Sequence, residues 1–108
     1  VKENKEQKAS LTEAQWSLYI IKTRLNTLYT GISTDVERRF KEHSGSSKRA
    51  ARYLRGKGPL ELVWSQSVGS KSEALILEYR VKKLKRRQKQ GLIDGGIKLV
   101  DLHQQTDE

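Results

Sequence analysis

The sequence predicts an α+β domain: a small, three-stranded, mainly antiparallel sheet flanked by helices, in the order β-β-α-α-β-α. Three observations carry that expectation. Two short runs rich in aromatic and β-branched residues, Trp16 to Lys22 and Leu28 to Ile32, flank a turn-like segment that contains Asn26, so they read as an antiparallel pair. A third alternating run, Leu60 to Gln66, follows the break Gly56-Lys57-Gly58-Pro59. Between and after these runs, apolar residues recur at helical spacing.

Taken in order, residues 1–15 hold few large apolar side chains and read as a flexible N-terminal tail. Order begins at Trp16. In the second strand, Gly31 weakens the strand interior and marks close approach by another group. Thr34 and Glu37 fit a capping box, and Asp35 suits the positive end of a helix running to about His43. Ser47 to Leu54 reads as a second, strongly basic helix. After the third strand, Ser70 and Glu73 form another capping box for the longest helix, Lys71 to about Leu84. Lys85 to Gly91 reads as a basic continuation or a short separate helix. Gly95-Gly96 ends the regular structure, with Ile97 to Leu102 available as a short docked strand. The domain thus spans 16–94, and 95–108 form a C-terminal tail.

Composition narrows the function classes. The 108 residues predict one domain. No Cys is present, which excludes disulfides and thiolate zinc sites and is compatible with the cytoplasm. No apolar run is long enough to span a membrane. The net charge is +9, with 22 Lys and Arg against 13 Asp and Glu. The excess is concentrated in residues 16–97, where 18 basic side chains face 7 acidic ones, a net +11. A basic centre between neutral and acidic ends points to a phosphate-rich partner. No nucleophile elbow, zinc-protease motif, Walker loop or dinucleotide fingerprint occurs.

Some polar residues fall on apolar helix faces. On the first helix, Arg39 and His43 are one turn apart and border the stripe of Val36 and Phe40, whereas Arg38, Lys41 and Glu42 point elsewhere and read as surface charge. An Arg at a core edge is costly unless paired. It either snorkels to solvent or is aimed into a cleft, where its planar fork suits phosphate. His43 alone fits a helix-end His satisfied by the dipole. On the long helix, Glu78 lies inside the arc of Ala74, Leu77 and Val81. A carboxylate there needs a cation, either Arg39 or a metal. Mg²⁺ is often held by one or two carboxylates with water and phosphate. Tyr19 and Tyr29, in the strand pair, are core aromatics or site residues.

Together these residues resemble the GIY-YIG nuclease family, whose signature is two tripeptides on the first two strands, an Arg on the next helix and a Glu on a later one. Ser17-Leu18-Tyr19 keeps only the Tyr of the first tripeptide, and Tyr29-Thr30-Gly31 keeps Tyr and Gly of the second. Thr34 to His43 resembles the first helix of the family, with Arg39 as its Arg, and Glu78 matches its metal-binding Glu. The resemblance covers about residues 16–90. It is closest to the stand-alone bacterial YhbQ-like branch, through LYTGISTDVERRFKEH, RGKGPLELVW and ALILEYRVKKLKRRQK. Some members place an Asn after the Glu-bearing helix, but none follows Asn26 here.

The resemblance implies a GIY-YIG-like fold and an endonuclease that hydrolyses phosphodiester bonds, with DNA as partner and a place in DNA repair or recombination. Glu78 would hold one Mg²⁺ or Mn²⁺. Arg39 would stabilise the transition-state charge. Tyr29 would accept a proton from the attacking water, with Tyr19 and His43 orienting it or assisting. A Tyr of ordinary pKa, about 10, needs a nearby cation for that task. Lys48, Arg49, Arg52, Arg55 and Lys57, with Lys82 and Lys85, would grip the nucleic-acid backbone. The expected assembly is a monomer or weak dimer, without membrane contact. Two rivals belong to other classes: a non-catalytic nucleic-acid-binding module with a nuclease-like fold, and a protein-interaction adaptor.

Overall fold

The computed structural model describes residues 14–45 and 48–103. Its sheet has three strands: β1, Trp16–Lys22; β2, Leu28–Ser33; and β3, Glu61–Gly69. The order is β2-β1-β3, and both pairings are antiparallel. The expected α+β architecture is therefore the observed one. β1 is central because it is the most apolar strand: Leu18, Tyr19, Ile20 and Ile21 are all buried. Asn26, at φ 65°, turns the chain between β1 and β2, and Thr23 N–H donates to the Thr27 carbonyl at 2.9 Å.

Alternation sorts the two sheet faces. Leu18 and Ile20 point to one face and join Leu77, Val81, Leu92, Leu99 and Leu102. Tyr19 and Ile21 point to the other, where Leu54, Val36 and Phe40 pack. Three helices cover the first face: α2, Lys71–Lys82; α3, Arg86–Asp94; and α4, Leu99–His103. The second face is covered by α1, Val36–Ser44, and by the segment after it. Each fully buried Leu or Val contributes roughly 1.5–3 kcal/mol.

Several local expectations are corrected. The N-cap of α1 is Asp35, whose side chain accepts from Arg38 N–H at 3.1 Å; no capping box links Thr34 and Glu37. The carboxylate reaches the orphan N–H of the third helical residue, so Thr34 is left outside the helix. The capping box of Ser70 and Glu73 is present on α2. The basic helix expected over 47–54 is only a 3-10 turn, Arg52–Leu54; Ser47 lies outside the described residues. With four cations crowded between 48 and 55, local charge repulsion disfavours a longer helix. The basic stretch after α2 is a separate helix, since Lys85 N–H is capped by Gln88 Oε1 at 2.9 Å. Residues 97–102 form no strand. Leu99 and Leu102, three apart, bury one face of α4 instead.

One close approach positions the site. Tyr19 pairs directly with Gly31 across β1 and β2, so both face the same side. A Cβ on Gly31 would lie 2.5 Å from Tyr19 Oη. Glycine at 31 thus leaves room for the Tyr19 ring and hydroxyl, which any side chain there would push aside.

Candidate active site

The second face of the sheet holds a cluster of Tyr19, Tyr29 and His43. Ring centroids are 6.4 Å apart for the two tyrosines and 6.0 and 5.6 Å from His43 to Tyr19 and Tyr29. The protonation of His43 follows from its partners. Ala51 N–H donates to Nδ1 at 3.1 Å. A backbone N–H can only donate, so Nδ1 carries a lone pair and the proton of the neutral ring sits on Nε2. Nε2–H then donates to Tyr19 Oη at 2.9 Å. The hydroxyl proton of Tyr19 stays available to donate onward.

The electrostatics agree with this tautomer. Burial, reinforced by the nearby Arg39 charge, lowers the His43 pKa to about 4. Burial also pushes the Tyr19 hydroxyl well above the ordinary tyrosine value, with Tyr29 and Glu78 adding to the rise and Arg39 opposing it. At neutral pH both groups are uncharged, so His43 is not the charged helix-end histidine that its position alone suggested. Because the unfolded chain binds a proton that folded His43 refuses, stability is expected to fall as pH drops from about 6.5 towards about 4. The contribution is complete above that window and lost below it, on the order of 3 kcal/mol. Thermal denaturation from pH 7 to 4 checks this, and His43→Gln should flatten that part of the slope.

Arg39 stands on the same helix. Its Nη1 donates to Glu42 Oε1 at 2.9 Å and to the Arg49 carbonyl at 2.7 Å. The guanidinium also acts on the Tyr19 hydroxyl, through its charge and a side-chain hydrogen bond, both opposing the rise of the Tyr19 pKa. Burial works against the Arg39 charge, but the Glu42 hydrogen bond together with the nearby Tyr19, Glu42 and Tyr29 outweighs it and raises its pKa. Glu42 is not the plain surface charge expected: its side chain is 16% exposed and also meets Arg38 at 3.4 Å and Arg49 at 3.5 Å. The Arg39 hydrogen bond holds its carboxyl below the usual range. Its spacing from Arg38 and Arg39, four and three residues, was the available signal.

Glu78 comes from α2 on the opposite face and pairs with Lys82 Nζ at 3.3 Å, not with Arg39. Its side chain is 19% exposed, so it is less deeply buried than the helical arc implied. The i,i+4 geometry brings Lys82 within reach, while Arg39 is held by Glu42. Glu78 nevertheless lies close enough to raise the Tyr19 pKa. Among the described residues no three His, Cys, Asp or Glu gather into a metal-binding group. A single hard carboxylate open to water suits Mg²⁺ or Mn²⁺ completed by water and phosphate, and does not suit a closed zinc cage.

The cations expected on the nucleic-acid backbone divide into two groups. Lys48, Arg49, Arg52 and Arg55 are exposed along the segment after α1. Arg55 is tied locally, donating from Nη2 to the Lys48 carbonyl at 2.9 Å. Lys57 folds onto Tyr53, its Nζ 3.8 Å from the ring centroid and 2.6 Å from the Tyr53 carbonyl. Lys82 and Lys85 lie at and just beyond the end of α2, both exposed. Beside them an open groove of about 320 Å³ is lined by Leu28, Tyr29, Thr30, Tyr53, Lys82 and Lys89. The sequence offered no periodicity or motif that would have singled out Tyr53.

A small antiparallel sheet with paired strand tyrosines, a helix Arg and a carboxylate from a later helix defines a class. The chain belongs to the GIY-YIG family, whose catalytic-domain model matches residues 15–91. Its relatives place it in the YhbQ-like branch. The UPF0213 protein YhbQ of Escherichia coli K12 is 53% identical over 87 residues, which cover 81% of this chain and 85% of that protein. A UPF0213 protein of Citrobacter koseri is 53% identical over 81 residues, covering 75% and 79%. The solution NMR structure of a UPF0213 protein from Bacillus halodurans matches 86% of this chain and 97% of that one, at 35% identity and a TM-score of 0.49. Family membership implies nuclease activity and a nucleic-acid partner, and nucleases of this family generally use divalent metal ions. No helix among the described residues is long and apolar enough to cross a membrane.

Proposed function

We propose that the protein is a metal-dependent endonuclease that hydrolyses phosphodiester bonds in DNA. The observation that carries this reading is the set of four groups centred on Tyr19. His43 donates to it, Gly31 admits it, and Arg39 and Glu78 both act on its titration from different elements. A purely structural tyrosine needs none of these charges nearby.

Glu78 would hold one Mg²⁺ or Mn²⁺, and the bound ion would supply Lewis-acid stabilisation of the scissile phosphate and the leaving oxygen. Arg39, whose Nη1 is held by Glu42 and the Arg49 carbonyl, meets the non-bridging oxygens beside the Tyr19 hydroxyl. Because those two partners fix Nη1, little reorganisation is needed when phosphate charge develops. Tyr19, kept a neutral phenol chiefly by burial, accepts from His43 and uses its remaining proton to orient a water or a phosphate oxygen. Tyr29, half-buried beside it and lining the groove, is the candidate to accept a proton from the attacking water. Lys48, Arg49 and Arg52 extend the positive surface along the backbone.

The test is cleavage of supercoiled plasmid and of branched DNA of the kind met in repair and recombination. Nicking is expected with Mg²⁺ or Mn²⁺ and none with EDTA. No cutting of any substrate, with salt-sensitive binding intact, would overturn the reading and leave a binding module.

A further inference from the structure

We propose that the groove at the outer edge of β2 binds one unpaired nucleotide beside the cutting site, so that single-stranded or splayed DNA is the preferred substrate. The placement beside a scissile phosphate rests on the nuclease reading, whereas the binding does not. β2 is an edge strand, so its outer side is open to both faces of the sheet. One wall is aromatic: Tyr29 and Tyr53 lie nearly parallel, 17° apart, with centroids 5.9 Å apart. Tyr53 is 44% exposed, and the Lys57 side chain that lies over its ring, Nζ 3.8 Å from the centroid, is flexible enough to move aside for a stacking base.

The other wall is basic, formed by Lys82 from α2 and Lys89 from α3. Thr30 adds a third element. Its Oγ1 is buried without a hydrogen-bond partner among the described residues, and it lines the same groove. The groove is at the small end of the range for ligand sites, of a size for one nucleotide. Lys82 borders it on one side and pairs with Glu78 on the other, which places a phosphate held there next to the candidate metal carboxylate.

These features distinguish an unpaired nucleotide from duplex. A continuous double helix keeps its bases stacked on one another and meets a protein through its phosphates, for which exposed cations suffice. An exposed aromatic wall gains nothing from it. An unpaired base offers its π-face to tyrosine, and one such contact is commonly worth roughly 1–3 kcal/mol.

The experiment is a fluorescence anisotropy titration in EDTA. It compares labelled oligothymidylate with a duplex of the same length, for wild type, Tyr53→Ala and Tyr53→Phe. Tyr53→Ala is expected to weaken single-strand binding about tenfold and duplex binding less than about twofold, with Tyr53→Phe close to wild type. Equal loss on both nucleic acids, or no loss on either, would overturn the proposal. A measurement that needs no variant runs beside it: a single strand carrying 2-aminopurine should lose fluorescence when wild-type protein stacks on the base. Binding that leaves its fluorescence unchanged would overturn the proposal equally. If these binding results hold but no substrate is cut with any metal, the nuclease reading fails and the groove stands.

Discussion

Glu78→Gln is expected to reduce metal-dependent cleavage by about 10³-fold while leaving the fold intact. A bound metal ion contributes several kcal/mol of transition-state charge stabilisation, and each 1.4 kcal/mol is a factor of ten in rate. Gln keeps the size of the side chain but removes the charge that would hold the cation. The stability cost should be small. Among the described residues Glu78 pairs with Lys82, whose side chain is 53% exposed, and such pairs contribute about 0–1 kcal/mol. Nucleic-acid binding in EDTA should hold or tighten slightly, because Lys82 is released to meet phosphate. Single-turnover cleavage across a Mg²⁺ titration is the measurement. Activity within about twofold of wild type at every Mg²⁺ concentration would remove Glu78 from the mechanism.

Arg39→Lys is expected to lower the cleavage rate by about 10²–10³-fold, the usual loss when one preorganised donor to a developing charge is removed. The substitution keeps a positive charge and so separates charge from geometry. Lys presents three donors on a flexible stem and cannot span two phosphate oxygens as the guanidinium fork does. It also cannot reproduce both bonds of Nη1, to Glu42 and to the Arg49 carbonyl. Affinity for DNA should change by less than about threefold, since backbone attraction depends on summed charge. A large drop in affinity with an unchanged rate for bound DNA would make Arg39 a docking residue, not a catalytic one.

Much of the fold was legible from local pattern. Aromatic and β-branched content around a turn located β1 and β2, alternation located β3, and Ser70 with Glu73 located the start of α2. Gly31 was legible as a close approach, although what approaches it, the Tyr19 ring, was not. The misses share a cause. The capping residue of α1 depended on whether Thr34 reached the Glu37 N–H or Asp35 the Arg38 N–H, and the observed cap is Asp35. The helix expected over 47–54 had helical composition, but Ala50 and Leu54 are buried against the sheet and the exposed cations do not support a longer helix.

The sequence by itself determined that the chain is basic, that it builds a small sheet with helices, and that Arg39, His43 and Glu78 sit on helix faces where polar groups need partners. Helical and strand periods are properties of one element, so they can be read along one element. The tertiary structure alone decided who those partners are. It gave Arg39 to Glu42 and the Arg49 carbonyl, left Glu78 to Lys82, and set the proton of His43 on Nε2 by bringing Ala51 N–H to Nδ1. It also brought Tyr53 parallel to Tyr29 beside two lysines from different helices. Such pairings depend on how separate elements pack across the sheet, and a hydrogen bond or a stacked ring forms only when that packing brings the atoms within a few ångströms.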